Sequence, residues 1–367
     1  MAIRKVGVLT GGGDAPGLNP AIRGLVMRCD ELDIEVVGLY DGWLGLLDPY
    51  AEEILPLDRS MVRRWDRDGG TNIGSSRTNP FSALLPGGEE KMDRSDEVLR
   101  NAKKLKLDAV VAMGGEDTLG VAYKLWQKGL AIIGVPKTID NDLPGTDYTL
   151  GFDTALRNCM DVIERSRTSA GSHHWVQVVE VMGRHTGHLA FWSGVAGGAA
   201  MILIPEHRFS YERIYKLLEE RLGKDPRDRR HPRYAVIVVA EGAAALDEPV
   251  VTVDAEVDAF GHLRLGGVGN VLSDRIRKNT PFDSRAVVPG HPQRGGPPSA
   301  IDRIMGRMCG AEAANALARG ELGKMVSARG IAPACQLSMV DIAEVAGPIR
   351  RIDVERLYDQ ERYAPRF

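Results

Sequence analysis

The sequence predicts an α/β fold with mostly parallel sheets, and three features carry the prediction. Short β-branched runs alternate with stretches of helical periodicity. Several of the runs are too apolar to have a wet face, as strands covered on both sides must be. The 42 glycines among 367 residues gather in clusters beside those runs, where backbone can come close to phosphate groups.

The strand-like runs are 5–10, 35–39, 109–113, 131–135, 176–181, 201–204, 235–240 and 285–288. Between them, 19–29, 95–105, 153–169 and 211–222 repeat apolar residues at intervals of three and four, the spacing of one buried helix face. No fixed-period repeat or low-complexity tract interrupts the alternation. The charge-dense stretch 223–233, GKDPRDRRHPR, reads as a solvated loop between a helix and a buried strand.

The length suits two domains of ordinary size, and 43% hydrophobic with 26% charged residues is the composition of a soluble globular chain. A formal charge of −3 gives a polyanion no reason to bind, so nucleic acid is not an expected partner. No apolar run reaches the roughly 18 residues of a membrane span, and the N-terminus enters a strand-like run without a signal-peptide core. Cys29, Cys159, Cys309 and Cys335 are scattered, which suggests neither a zinc site nor a disulfide framework and fits a reducing cytoplasm.

The run 5–10 leads into Gly11, Gly12, Gly13, Asp14 and then a helix. Consecutive glycines expose N–H groups and the helix directs its positive end at an anion, a plausible phosphate cradle; neither a Walker A loop nor a GxGxxG fingerprint is present. The run 109–113 leads into Gly114, Gly115, Glu116, Asp117, Thr118. Two carboxylates there suit Mg²⁺ shared with substrate phosphates, or equally an N-cap acid on the following helix. After 131–135 comes Pro136, Lys137, Thr138, Ile139, Asp140, Asn141, Asp142. Asp140 and Asp142 lie two apart, so one can take a proton while the other helps a metal, and Lys137 supplies a mobile point charge for phosphate. Further on, Met182, Gly183 and Arg184, then Glu241, Arg285, His291 and Arg294, cluster at strand ends. Guanidinium groups grip phosphate bidentately, and Glu and His hydrogen-bond hydroxyls, so these suit a sugar phosphate, although each alone also fits a surface ion pair.

In this order GGGDAPGLN, GGTNIGSSR, GGEDT, PKTIDND, GFDTA, EVMGRHTG, PEH, AEG and GHPQRGG resemble the phosphofructokinase family from the first strand to near Arg303. The resemblance implies two similar three-layer α/β domains with the active site in the cleft between them. Their expected extents are 1–151 with about 294–345, and 152–293 with about 346–367. It implies phosphoryl transfer to the 1-hydroxyl of fructose 6-phosphate, with Mg²⁺, in a homodimer or homotetramer that completes its sites across subunits. By motif, Asp140 resembles the general base, and Thr138 and Ile139 line the acceptor's place. Asp142 and Glu116 match metal-linked acids, although the family usually has Asp at the latter. Met182, Gly183 and Arg184 match contacts to the sugar and the transferring phosphoryl, and Glu241, His291 and Arg294 the remaining sugar-phosphate contacts. Arg285 matches an arginine drawn from a neighbouring subunit. Gly12, Gly13, Arg77, Gly115 and Thr118 match the donor side.

Two departures refine the resemblance. ATP-using members carry glycine where Asp117 and Lys137 stand, which leaves room for a nucleotide α-phosphate. A carboxylate would repel that phosphate and an ammonium would meet a bare leaving phosphate, so the chain resembles the pyrophosphate-dependent members, with diphosphate as donor. Trp175 replaces a usual arginine, and Ala199 and Ala200 stand where allosteric members place a glutamate shortly after a Gly-Gly pair. An ATP-dependent enzyme and a non-catalytic phosphate or nucleotide sensor are the alternatives.

Overall fold

The computed structural model describes residues 3–84, 90–223, 230–257 and 263–367, so most of the charged stretch 223–233 lies outside the described residues. The chain divides into two compact units. Met1–Thr154 and Arg294–Ile349 belong to the first, and Ala155–Glu256, Leu263–Gln293 and Arg350–Phe367 to the second.

In chain order the first unit holds β1 (Lys5–Thr10), α1 (Leu18–Glu31), β2 (Glu35–Leu39), β3 (Ile54–Leu57), α2 (Ser95–Lys104), β4 (Ala109–Gly114), α3 (Glu116–Gln127) and β5 (Ile132–Pro136). Then follow α4 (Phe152–His173), β6 (Val176–Val181), α5 (His188–Ala196), β7 (Met201–Leu203), α6 (Tyr211–Leu222), β8 (Ala235–Ala240), a ribbon of β9 (Thr252–Val257) and β10 (Leu263–Leu265), α7 (Val268–Asn279) and β11 (Ser284–Val287). The chain returns to the first unit with α8 (Ala300–Arg319), β12 (Lys324–Arg329) and β13 (Gln336–Asp341), and ends in the second with β14 (Tyr358–Asp359) and β15 (Ala364–Pro365).

The first sheet has the order β13-β12-β5-β4-β1-β2-β3. Its five inner strands are parallel, with Val6 opposite both Val36 and Ala109, while β3 and β13 run antiparallel at the edges. The second sheet, β11-β6-β8-β7, is parallel throughout. Every residue of β4 (AVVAMG) and β8 (AVIVVA) is buried, which is why neither sequence alternates. In the first sheet the chain leaves β1 toward β2 on one side, while β4 lies on the other. Ligands of open parallel sheets bind outside the strand ends at such a reversal, here beside Gly11–Gly13 and Gly114–Thr118.

Two devices brace the first unit. Buried Asp302 of α8 accepts hydrogen bonds from Tyr148 Oη (2.6 Å), Gly151 N (2.7 Å), Thr154 N (2.8 Å) and Thr154 Oγ1 (2.5 Å). Burial pushes its carboxyl above the usual range while these donors pull it back, so the loop after β5 is fastened by a desolvated but fully partnered acid. The second device is backbone contact between α1 and α8. A Cβ built on Gly24 would lie 2.3 Å from Arg307 O, and one on Gly310 2.0 Å from Ala21 O.

Glycine inside a helix ordinarily costs about 1 kcal/mol relative to alanine, yet here a side chain would force the helices apart. Gly24→Ala is therefore expected to lower stability by about 1–3 kcal/mol, as overpacking does. Gly120→Ala in α3, where a Cβ meets nothing within 4 Å, should raise it by about 0.5–1 kcal/mol. Thermal unfolding of the two variants reads the difference in sign; equal shifts would contradict the contact.

Candidate active site

In the first unit, three segments that are distant in sequence are tied into one turn. Gly12 N donates to Ser76 O (2.9 Å), and Ser75 Oγ donates to Gly12 O (2.6 Å), so the GSSR segment runs beside the glycine turn. Asn19 Nδ2 donates to the carbonyls of Asp68 (3.2 Å) and Gly69 (3.1 Å) and its Oδ1 accepts from Asn72 N (2.8 Å), anchoring the other end of that loop to α1. Gly69 in turn lies against the backbone of Gly296, where a Cβ would be 2.1 Å from the carbonyl oxygen. Sequence motifs flagged Gly12, Gly13, Arg77 and Arg294; Asn19 was missed, although it closes the GGGDAPGLN run.

Lys137 organises the centre of this turn. Only 2% of the residue is exposed, and its Nζ donates to the carbonyls of Gly11 (2.9 Å) and Gly13 (2.5 Å). The expectation of a mobile charge is corrected: the amine is built into the loop. Desolvation lowers its pKa to about 7, and the Arg294 and Arg77 guanidinium groups push it the same way, against Asp14 and Asp140. Arg294 Nη1 donates to Asp14 O (3.3 Å), and a Cβ on Gly13 would sit 2.8 Å from that nitrogen. The sequence had placed Arg294 with the sugar-phosphate residues; its guanidinium lies against the donor-side glycine turn.

Helices α1 and α3 both begin at a glycine N-cap, Gly17 and Gly115, which has no side chain to cap the first turn. Glu116 (exposed) and Asp117 (half-buried) occupy the first turn of α3 rather than the N-cap. Thr118 is buried, and its side chain fills the space that Gly11 and Gly114 leave: a Cβ on Gly114 would be 2.3 Å from Thr118 Cβ. Thr118 therefore packs the turn, in place of the open donor contact expected of it.

The loop after β5 presents the acids. Lys137 N donates to Gly114 O (2.9 Å), Thr149 Oγ1 to Thr138 O (2.6 Å), and Thr149 N to the side chain of left-handed Asn141 (3.0 Å). Asp140 N donates to Thr138 Oγ1 (3.2 Å), but Asp140 Oδ1 is shielded from solvent and accepts no hydrogen bond from any described residue. Asp142 is half-buried beside it in sequence. Ile139 is fully buried, a correction to its expected place against the acceptor: its side chain anchors the loop in the core.

In the second unit, the ends of β6 and β8 are interlocked. Glu241 N donates to Val181 O (2.8 Å) and Gly242 N to Gly183 O (3.1 Å); a Cβ on Gly242 would lie 2.0 Å from Arg184 O, and Gly183 has a φ of 141°. Buried Gln293, which the sequence reading passed over within GHPQRGG, joins this corner to the chain after β11. Its Oε1 accepts from Met182 N (3.0 Å) and Cys159 Sγ (3.1 Å), and its Nε2 donates to Gly290 O (3.0 Å). Met182, Arg184 and Glu241 are half-buried around that corner, Gly183 is buried, and Arg285 and His291 are exposed. Glu180 turns away from it: buried, it accepts from Gly267 N (2.9 Å) and Gly269 N (2.7 Å) at the start of α7.

Of the two acids expected to serve a cation, Glu116 follows β4 and Asp142 lies in the loop after the adjacent strand β5. No group of three or more His, Cys, Asp or Glu gathers among the described residues. That chemistry suits Mg²⁺, which is held by one or two carboxylates together with substrate phosphates, and not an all-protein zinc or calcium cage.

The sequence model described as Phosphofructokinase matches residues 5–317. The chain is 48% identical over 357 residues to the pyrophosphate–fructose 6-phosphate 1-phosphotransferase of Dictyoglomus thermophilum, covering 96% of each. It is 41% identical to the ATP-dependent 6-phosphofructokinase of Chloroflexus aurantiacus, over 95% of this chain and 93% of that one. Its fold matches a solved pyrophosphate-dependent phosphofructokinase from Marinobacter aquaeolei at a TM-score of 0.80 and 21% identity, covering 99% of this chain and 89% of that one.

The buried amine predicts a pH dependence. Between about 7 and its ordinary 10.5, Lys137 is neutral in the folded chain and protonated in the unfolded one, so the unfolded state binds the extra proton and stability contributed by this site rises with pH. The stability of the wild type relative to Lys137→Met should therefore climb from pH 7 to pH 10, by up to roughly 1.4 kcal/mol per unit, and be level below pH 6.5. Denaturant unfolding across that range tests it; a difference independent of pH would show the amine charged throughout.

Proposed function

The chain belongs to the phosphofructokinase family, and on that premise we propose that it is a pyrophosphate-dependent 6-phosphofructokinase. It moves a phosphoryl group reversibly from diphosphate to the 1-hydroxyl of fructose 6-phosphate, giving fructose 1,6-bisphosphate. The observation that carries the reading is the shielded Asp140 Oδ1 without a hydrogen-bond donor, beside a turn that gathers Lys137, Arg77 and Arg294. A phosphate-binding sensor has no use for an unpaired carboxylate oxygen; a kinase needs one to accept the hydroxyl proton as the phosphoryl leaves its donor.

Each side of the reaction has its residues. The N–H groups of Gly13 and Gly115 and the Arg77 guanidinium receive the donor's phosphates, and Gly12, its own N–H taken by Ser76 O, shapes the turn that presents them. The Lys137 amine, already hydrogen-bonded to the turn, becomes more basic as an anion approaches and so supports the negative charge of the departing phosphate. Asp117 in the first turn of α3 puts a carboxylate where a nucleotide would bring a further phosphate, which disfavours ATP. Glu116 and Asp142 would hold Mg²⁺, which supplies charge neutralisation on the phosphates when bound. Thr138 and Asp140 face the acceptor. Met182, Gly183, Arg184 and Glu241 hold the sugar, and Arg285 and His291 its phosphate. Arg294 serves the transferring phosphoryl from the donor turn.

The first unit is proposed as the donor-binding domain and the second as the acceptor-binding domain. We place the enzyme in the cytoplasm as a homodimer or homotetramer; its four cysteines are free, and no described helix is long and apolar enough to cross a membrane.

Two measurements test this. With saturating Mg²⁺ and fructose 6-phosphate, kcat/KM should be high for diphosphate and low for ATP; robust turnover with ATP and none with diphosphate would assign the donor to the alternative. Asp140→Asn should lower kcat by about 10²- to 10⁴-fold while leaving the fructose 6-phosphate KM within a few-fold, because the amide keeps shape but cannot take the proton. A variant that retains a third of wild-type turnover would remove Asp140 from the role.

A further inference from the structure

Arg285 is an exposed side chain on β11, and an exposed arginine that must grip an anion gives up rotamer freedom to do so. Here that freedom is already restricted. The guanidinium carbon lies 5.5 Å from the centroid of the Trp175 ring, over its electron-rich face, and Nη2 donates to Asp283 Oδ2 at 3.0 Å. The indole is itself fixed. Trp175 Nε1 donates to Gln177 Oε1 (3.1 Å), and the His173 imidazole stacks on the ring at 4.8 Å with 5° between planes. Gln177 is buried, pairs with Arg285 across the β6–β11 ladder, and donates from Nε2 to Arg285 O (3.0 Å). The chain of contacts closes on itself: indole to glutamine, glutamine to the arginine backbone, arginine head to the indole.

Resting on the acceptor-site reading above, we propose that Trp175 and Gln177 are positioning residues that hold the Arg285 guanidinium ready for the phosphate of the acceptor, so that this chain sets its acceptor affinity through an aromatic platform under a single arginine. The register explains why the device needs this spacing. Arg285 stands opposite Gln177, and Trp175 is two residues earlier on the same strand line, so the two side chains share a face and an arginine's length spans the diagonal.

A double-mutant cycle tests the proposal. Trp175→Leu should raise the KM for fructose 6-phosphate about 2- to 5-fold, the range of an exposed cation–π contact, with kcat and the diphosphate KM unchanged within twofold. Trp175→Phe should restore most of the affinity, because a smaller aromatic face remains. In an Arg285→Ala background, Trp175→Leu should have no further effect. Light scattering on each variant separates this from assembly, since a merely structural tryptophan would change oligomeric state and raise both KM values together. Additive effects of the two substitutions, or equal losses for both substrates, would overturn the proposal.

Binding without turnover keeps it distinguishable from failure of the kinase reading. Fructose 6-phosphate and inorganic phosphate are titrated separately into wild type, Trp175→Leu and Arg285→Ala. Binding that weakens in both variants supports the platform even if no donor gives turnover. Wild-type binding that Arg285→Ala leaves intact, or no binding of either probe, refutes it.

Discussion

The glycine turn of the first unit depends on one buried amine. Lys137 Nζ bonds the carbonyls of Gly11 and Gly13 while Lys137 N bonds Gly114 O, so a single residue at the end of β5 joins the strand ends of β1 and β4. The N–H groups of Gly11 and Gly12 are bonded in turn to the carbonyls of Met113 and Ser76, so the turn is held from both its carbonyl and its N–H sides. Burial is the main reason the Lys137 pKa falls to about 7; among the charges around it Arg294 and Arg77 add to that fall and Asp14 and Asp140 oppose it.

Around that centre the fold is assembled by close backbone approaches. Gly24 and Gly310 let α1 and α8 touch, Gly69 meets Gly296 and so brings two motifs together, and Gly242 admits the carbonyl of Arg184 at the corner of β6 and β8. None of these three pairs is near in sequence. Each is a place where any side chain would displace backbone. The abundance of glycine thus has two separate causes, turns that offer N–H groups and contacts that fix where those turns stand.

Much of this was legible in the sequence. Most of the parallel strands announced themselves because burial on both faces leaves no alternation to confuse with a helix, and β1, β2, β6 and β8 lie at their expected residues, whereas β12, parallel to β5, was not read. The edge strands β3 and β13 were not read, since antiparallel edges with mixed faces such as EEILPL carry little periodic signal. Helix α8 escaped for a related reason: its small residues face α1 backbone, so the stripe that identifies an amphipathic helix is replaced by Gly306, Gly310, Ala313 and Ala314. Motifs located the loops well and misjudged individual side chains within them. Spacing cannot say that Lys137 turns inward or that Thr118 fills the hollow beside Gly114, because those outcomes depend on strands brought together from elsewhere in the chain. Asn19, Gln177 and Gln293 were overlooked because an amide that braces a loop looks like any other polar residue until its partners are known.

The contrast between two aspartates shows how the fold separates structure from chemistry. Asp302 is buried and its oxygens receive four donors, so its desolvation is partly offset and its carboxyl is held in place. Asp140 has an oxygen equally shielded from water and no donor for it among the described residues, a deficit that typically costs about 1–3 kcal/mol. A threonine could have supplied that donor, as Thr154 does for Asp302; Thr138 Oγ1 accepts from the Asp140 backbone N–H but donates nothing to Asp140 Oδ1. The loop therefore holds the Asp140 backbone in place while leaving its carboxylate unsatisfied. Such an arrangement is stable only because the rest of the unit over-determines the loop, through the Thr149 bonds and the Asp302 staple behind it. In the proposed reaction that one unpaired oxygen is the atom assigned to accept the acceptor's hydroxyl proton.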